Sequence, residues 1–146
     1  MEVTRIRALR GPNLWSRHTA VEAIVSCDAA ECAIDRIDGF ETRLRERFPE
    51  IDLLQPAGHH DPLALAHVLE FAALGLQAQA GCPVTFSRTA PTLESGVFQV
   101  VVEYSEEAVG RMAFDYALAL IEAARNDLPF NLTEALAKLR ETDEDE

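Results

Sequence analysis

Lysine is nearly absent from this sequence: Lys138 is the only one, and arginine supplies the rest of the basic side chains. The 13 basic residues are outnumbered by 25 acidic residues, which gives a net charge of −12. Such a charge repels phosphate backbones and anionic membrane surfaces. We therefore expect neither a nucleic acid nor a membrane as a partner, although arginine forks can still bind carboxylates in a bidentate manner.

Cysteine is also scarce, and Cys27, Cys32 and Cys82 form no C-x-x-C pair or other zinc-binding spacing. We interpret them as reduced thiols. The sequence lacks the basic and then apolar start of a signal peptide, and no apolar run approaches the ~20 residues of a membrane span. These absences predict a cytoplasmic protein.

The hydrophobic pattern predicts one domain built from pairs of strands and pairs of helices. The chain has 146 residues, 48% of them hydrophobic, which suits a single buried core. Strands are predicted at residues 3–9, 19–27, 83–89 and 96–104. Helices are predicted after Asp38, from Asp61–Pro62 to about Ala80, from Ser105 and from Asn131. We expect a two-layer α+β fold in which helices cover a four-stranded, mostly antiparallel sheet.

Cap residues set the predicted starts of these helices. Asp61 can accept hydrogen bonds from the first free amides, and Pro62 suits the first helical position. Ser105 is predicted to cap the longest helix. Asn131 opens the last, short helix in a capping-box pattern with Glu134.

The acidic residues 141–146 are expected to fray into solvent. They form either a solubilising tail or a linker that leads into a longer protein. Residues 1–140 are then the folded domain.

The second predicted helix carries part of a metallopeptidase motif. An inverted zincin motif, H-x-x-E-H, places two histidines on one helix face to bind Zn²⁺ and a glutamate between them to polarise water. His67 and Glu70 have this spacing, but Phe71 stands where the second histidine is needed. A single histidine cannot hold a catalytic zinc, which normally has about three protein ligands. The alternative interpretation is a helix beside the core that carries a histidine and a glutamate without chemistry.

Three segments together resemble the N-terminal domain of bacterial cyanophycin synthetases. They are residues 9–16 (LRGPNLWS), 76–89 (LQAQAGCPVTFSRT) and 96–104 (GVFQVVVEY). The resemblance covers essentially the whole chain. It implies a large ATP-dependent ligase that builds cyanophycin, a polyaspartate chain with arginine on each side-chain carboxylate. ATP and Mg²⁺ would belong to ligase domains outside this chain, and nothing in the sequence resembles a P-loop. The implied partners are therefore the polymer and the ligase domains of the same parent chain.

The resemblance also bears on the zinc motif. Some members of the family carry a zinc-dependent hydrolase site, H-x-x-E-H-x-x-x-E, that cuts the polymer into primers. His67 matches its first ligand and Glu70 its general base, whereas Phe71 and Gly75 replace the other two ligands. We therefore expect a vestigial site with no catalytic residue, metal or cofactor, and we expect Phe71→His with Gly75→Glu to recreate a zinc site. The alternative is a metal-dependent hydrolase of cyanophycin with rearranged ligands from His59, His60 and His67.

Polymer binding would need partners for both arginine and aspartate groups. Arginine side chains can pair with free carboxylates, a tryptophan ring can stack on guanidinium groups, and a carboxylate at a strand end can point into a groove. The candidates are Arg10, Trp15, Arg17, Arg88 and Glu103. Each arginine could equally form a weak surface ion pair, and Trp15 could anchor the core. Weak contacts would favour long polymer over a single dipeptide, because many repeats can bind at once. A purely structural module that packs on the ligase domains remains a further alternative.

Overall fold

Strands from both halves of the chain meet in one antiparallel sheet. The computed structural model describes residues 1–10, 19–54 and 63–144. The strands of this part are β1 (Glu2–Leu9), β2 (Ala20–Ser26), β3 (Ser87–Pro91) and β4 (Val97–Glu103). Their order across the sheet is β1-β2-β4-β3, and every neighbouring pair is antiparallel. The predicted strand pairs β1–β2 and β3–β4 are confirmed, and the β2–β4 pairing joins them at the centre.

Helices alternate with these strand pairs in the predicted order. They are α1 (Phe40–Arg47), α2 (Leu65–Gln79), α3 (Glu107–Asn126) and α4 (Leu132–Glu144), with a 3₁₀ turn at Ile34–Arg36. α2 packs against α3 and against β3 and β4, while α3 also contacts β2. The core lies between these helices and one face of the sheet, where Val21, Val25 and Val100 are fully buried. The two-layer α+β class is confirmed.

The predicted start of α2 is wrong by about three residues. Leu63 and Ala64 are not helical, and the helix begins at Leu65 with Ala64 as its N-cap. The Ala64 amide donates to Nδ1 of His67 at 3.0 Å. This bond satisfies an amide at the helix start, the task that the sequence assigned to Asp61. Asp61 and Pro62 themselves lie outside the described residues.

Two other predicted helix limits also differ from the structure. α3 begins at Glu107 with Glu106 as its N-cap, so Ser105 does not cap it. α4 continues to Glu144, so the predicted fraying is wrong for residues 141–144. The Asn131 cap is confirmed, because its side-chain oxygen accepts from the Glu134 amide at 3.0 Å.

The third strand starts later than the sequence pattern suggests. Residues 83–86 are irregular, and β3 runs from Ser87 to Pro91. The Glu103 carboxylate accepts hydrogen bonds from the Thr85 amide at 2.7 Å and from the Phe86 amide at 3.2 Å. A side chain therefore occupies amides that a longer strand would place in the sheet ladder. Among the described helices, none is long and apolar enough to cross a membrane.

Candidate functional site

The side of α2 that carries the motif borders a groove of about 420 Å³. The groove runs between α2 and the irregular segment before β3. Glu70, Phe71 and Gly75, three of the four motif positions, all line it. The other described residues that line it are Asp52, Leu74, Ala78, Val84, Thr85, Phe86 and Ser87. The fold thus brings together the positions that the sequence singled out and adds a wall from residues 84–87.

Glu70 is a buried carboxylate at this groove, with 7% of the residue exposed. The Ser87 hydroxyl donates to Oε2 of Glu70 at 2.5 Å. Within the described part of the chain, Ser87 is its only hydrogen-bond partner, and no basic side chain there forms an ion pair with it. A buried carboxylate with no cationic partner among the described residues is a place where a ligand can supply that partner.

Ile51 occupies the space beside the fourth motif position. A Cβ atom at Gly75 would lie 2.5 Å from Cγ2 of Ile51, far closer than a van der Waals contact. Ile51 is itself buried, with 6% of the residue exposed. A longer side chain at residue 75 therefore requires Ile51 to move. The segment before α2 thus closes the place where the family's glutamate ligand would stand.

His67 makes a hydrogen bond that opposes metal binding. Its Nδ1 accepts from the Ala64 amide, so the proton of the neutral ring must be on Nε2. The lone pair of Nε2 becomes available only if the proton moves to Nδ1, where it would face the Ala64 N–H group. The ring also contacts Phe98 edge-on, with 5.8 Å between the ring centroids. His67 can bind a metal only by giving up its bond at the helix start.

Within residues 1–10, 19–54 and 63–144 there is no cluster of three or more histidine, cysteine, aspartate or glutamate side chains that could hold a metal. Neither Phe71 nor Gly75 offers a metal-binding atom. His59 and His60, the suggested replacement ligands, lie outside the described residues.

Glu103 lies behind the groove wall. The residue is 6% exposed, and Oε1 accepts from the Thr85 and Phe86 amides. Its backbone carbonyl accepts from Nε2 of the fully buried Gln77 at 2.9 Å. These bonds tie the end of β4 to the wall of the groove and to α2. In this arrangement Glu103 positions the wall.

The two arginine candidates that the structure describes lie at opposite edges of the sheet. Arg10 directly follows the edge strand β1, and its Nη2 lies 2.8 Å from Oε1 of Glu107. Hydrogen bonds from Arg10 and then Arg111 lower the pKa of Glu107. Arg88 is exposed on the other edge strand, β3. Trp15 and Arg17 lie outside the described residues.

A charged row that the sequence pattern did not reveal lies on the sheet face opposite the core. Residues Arg7, Glu22, Val101 and Arg88 are directly opposite one another across the four strands. Glu22 is only 1% exposed, and Arg7 Nε donates to its Oε1 at 2.7 Å. The alternation of Arg5 and Arg7 in β1 indicated a common face, but their partner could be found only from the β1–β2 register.

Hydrogen bonds offset the burial of this carboxylate. Gln99 Nε2 donates to Oε2 of Glu22 at 2.6 Å, and Arg5 Nη2 lies 3.2 Å from Oε1. Burial raises the pKa of Glu22, but the hydrogen bonds from Arg7 and Gln99, with the charges of Arg7 and Arg5, outweigh burial and lower the pKa overall. Two arginines share one carboxylate here, so the cluster of Arg5, Arg7 and Glu22 carries one net positive charge.

Comparison with known proteins agrees with the resemblance seen in the sequence. The model of the cyanophycin synthase-like N-terminal domain matches residues 22–126. A cyanophycin synthetase of Trichormus variabilis is 34% identical over 135 residues, which cover 84% of this chain and 15% of that protein. A cyanophycin synthetase of Synechocystis sp. is 30% identical over 146 residues, which cover 92% of this chain and 17% of that protein. The chain therefore spans less than a fifth of the length of these curated relatives. Because the family model covers most of its residues, the chain belongs to the cyanophycin synthase-like N-terminal domain family.

Proposed function

We propose that this domain binds cyanophycin without cutting it and holds the polymer for ligase domains of the same parent chain. The observation that carries the proposal is the altered motif on α2. Phe71 and Gly75 provide no ligands, and Ile51 fills the space beside Gly75, yet the buried Glu70 still borders an open groove. A binding surface can remain useful after its metal ligands are lost, because binding does not require an activated water.

The charges of the domain also suit a polymer that carries both guanidinium and carboxylate groups. Glu70 and Asp52 make the groove acidic. On the opposite face of the sheet, Arg5 and Arg7 flank Glu22, and Arg88 lies in the same row. Each exposed contact is weak, so affinity would come from many repeats of one polymer binding together. Arg10 remains a candidate, as do Trp15 and Arg17 outside the described residues.

In this proposal the domain works in the cytoplasm and needs no metal or cofactor of its own. Cys27, Cys32 and Cys82 are free thiols in the structure, which suits a reducing compartment. ATP and Mg²⁺ would be used by the ligase domains of the parent protein. The net charge of −12 also disfavours nucleic acid as a partner.

Sedimentation with insoluble cyanophycin tests this function. The purified chain is mixed with the polymer without ATP, the suspension is centrifuged, and both the protein in the pellet and the soluble aspartate–arginine peptide are measured. We expect the protein to pellet and no peptide to be released. An unrelated protein of similar size and net charge controls for trapping, and a chelator added to a parallel sample controls for metal-dependent cleavage.

Any other outcome of the sedimentation assay would support a different function. Peptide release that a chelator abolishes would overturn the proposal in favour of the metal-dependent hydrolase with rearranged ligands. Bound zinc in the purified protein would point the same way. No pelleting and no release would instead favour a structural module that packs on the ligase domains.

A further inference from the structure

The groove beside α2 has an acidic lining and a buried carboxylate that forms no ion pair within the described part of the chain. Among the described residues that line it, Asp52 and Glu70 are charged and none is basic. Asp52 is exposed at the surface, whereas Glu70 is buried. The two carboxylates therefore make the groove negative both at its mouth and in its interior.

The two oxygens of Glu70 differ in their hydrogen bonds to the described residues. Oε2 accepts from the Ser87 hydroxyl, and Oε1 has no partner among the described residues. Glu70 lines the groove, so we expect a ligand in the groove to reach its carboxylate.

The remaining lining favours a planar organic cation over a metal ion. Phe71, Phe86 and Leu74 contribute aromatic and aliphatic surface. A guanidinium group can stack on an aromatic ring while its edge donates hydrogen bonds to a carboxylate. A hard metal ion would need several oxygen ligands around it, and an ammonium group is more strongly hydrated than a guanidinium group.

From these observations we propose that the groove is a binding site for a single guanidinium group, with Glu70 as its charge partner and the rings of Phe71 and Phe86 as its walls. The inference rests on the proposed function in one respect: the arginine side chains of the polymer would be the natural source of the group. Glu70, which stands at the position of the family's general base, would then bind the guanidinium group without a metal.

A titration with amino acids whose two ends are capped, so that only the side chain can carry a charge, tests whether Glu70 pairs with a guanidinium group. Nα-acetyl-arginine amide is compared with Nα-acetyl-citrulline amide, which has nearly the same shape without the charge, by chemical-shift changes of the full 146-residue chain. We expect the arginine amide to bind at least about tenfold more tightly, because hydrogen bonds to charged groups are the stronger ones. Shifts should centre on Glu70, Phe71 and Phe86. Equal affinity for the two amides would overturn the proposal.

Two pairs of variants separate the groove from the rest of the surface. Glu70→Gln should reduce the affinity for the arginine amide about tenfold or more, whereas Glu94→Gln, at an exposed loop position outside the groove, should leave it unchanged. Leu74→Arg places a guanidinium four residues after Glu70 on the same helix, a favourable ion-pair spacing, and should block the external ligand. Leu74→Gln is its neutral control. If Glu70→Gln proves unstable by circular dichroism, the Leu74 pair still decides the question.

The polymer assay distinguishes failure of this inference from failure of the proposed function. Cyanophycin pelleting that is equally strong with Leu74→Arg and with the unchanged chain would reject the groove as the polymer's guanidinium site, while polymer binding itself would stand. Binding of the arginine amide without any pelleting of polymer would retain the guanidinium site and reject the proposed function, pointing to free arginine or arginyl peptides as the source of the group.

Discussion

The side chain of Ile51 lies against the backbone of Gly75, so that a Cβ atom at residue 75 would be 2.5 Å from Cγ2 of Ile51. This contact couples the segment before α2 to the motif position on α2. Replacing residues 71 and 75 with zinc ligands would therefore not be enough to rebuild the site. The surrounding structure has closed over one of the two positions.

Restoring a zinc site should therefore require a third substitution. Phe71→His with Gly75→Glu is expected to destabilise the fold by about 1–3 kcal/mol, since the new side chain overpacks against Ile51. Adding Ile51→Ala removes the clashing methyl group and should increase zinc retention. Zinc per chain after dialysis measures the effect, with Phe71→His alone as the reference. If the double variant retains as much zinc as the triple variant, Ile51 is not the obstacle.

Glu31 should contribute to the acid stability of the fold. It is 3% exposed, and it accepts from the Asp28 amide at 2.9 Å and from both Arg125 and the amino group of Met1. Burial raises its pKa, but these hydrogen bonds and charges outweigh burial and lower it to about 2. Because the folded value lies below the ordinary glutamate value of about 4.3, the contribution is complete above pH ~4.3 and is lost as the pH falls towards 2.

Glu31→Gln should remove this contribution. The expected loss at pH 7 is about 2–3 kcal/mol of unfolding free energy, and the difference from the unchanged chain should shrink as the pH falls below ~4. Urea unfolding at several pH values measures it, with the exposed Glu94→Gln as the control. A difference that stays constant from pH 7 to pH 2 would mean that Glu31 stabilises the fold by packing alone.

Glu103 should hold the groove wall in place. Replacing it with alanine removes the acceptor for the Thr85 and Phe86 amides and should cost about 1–3 kcal/mol. Glu103→Gln keeps one acceptor oxygen and should cost less. Hydrogen exchange at the two amides reports the change directly, and we expect faster exchange in the alanine variant. Unchanged exchange rates would show that the wall is fixed by other contacts.

Thr89 offers a stabilising substitution. Its hydroxyl is buried without a hydrogen-bond partner, so Thr89→Val should raise the unfolding free energy by up to about 1 kcal/mol. Thr92→Val is the matched control, because the Thr92 hydroxyl donates to the Val97 carbonyl at 2.9 Å and accepts from the Glu94 amide at 3.2 Å. Thermal unfolding should move in opposite directions for the two variants. A loss of stability in both would indicate that Thr89 has a partner in solution.

Local sequence patterns were sufficient for the order of the elements and failed at the starts of α2, α3 and β3. The strand pairs and helices follow from β-branched runs and helical spacing, which depend on near neighbours. The starts of α2 and β3 depend on His67 and on Glu103, whose partners the sequence pattern does not identify. Ser105 has the right chemistry for a cap, but the N-cap of α3 is the next residue, Glu106, and the helix begins at Glu107.

The sequence by itself determined the secondary-structure order, the loss of two zinc-ligand types at residues 71 and 75, and the family resemblance. These depend on residue identity and on spacing within one element. The tertiary structure alone decided that β2 pairs with β4, that Ile51 covers Gly75, and that Glu70 is buried with Ser87 as its partner. Such contacts join residues from separate segments, and their presence depends on how the layers pack rather than on any local pattern.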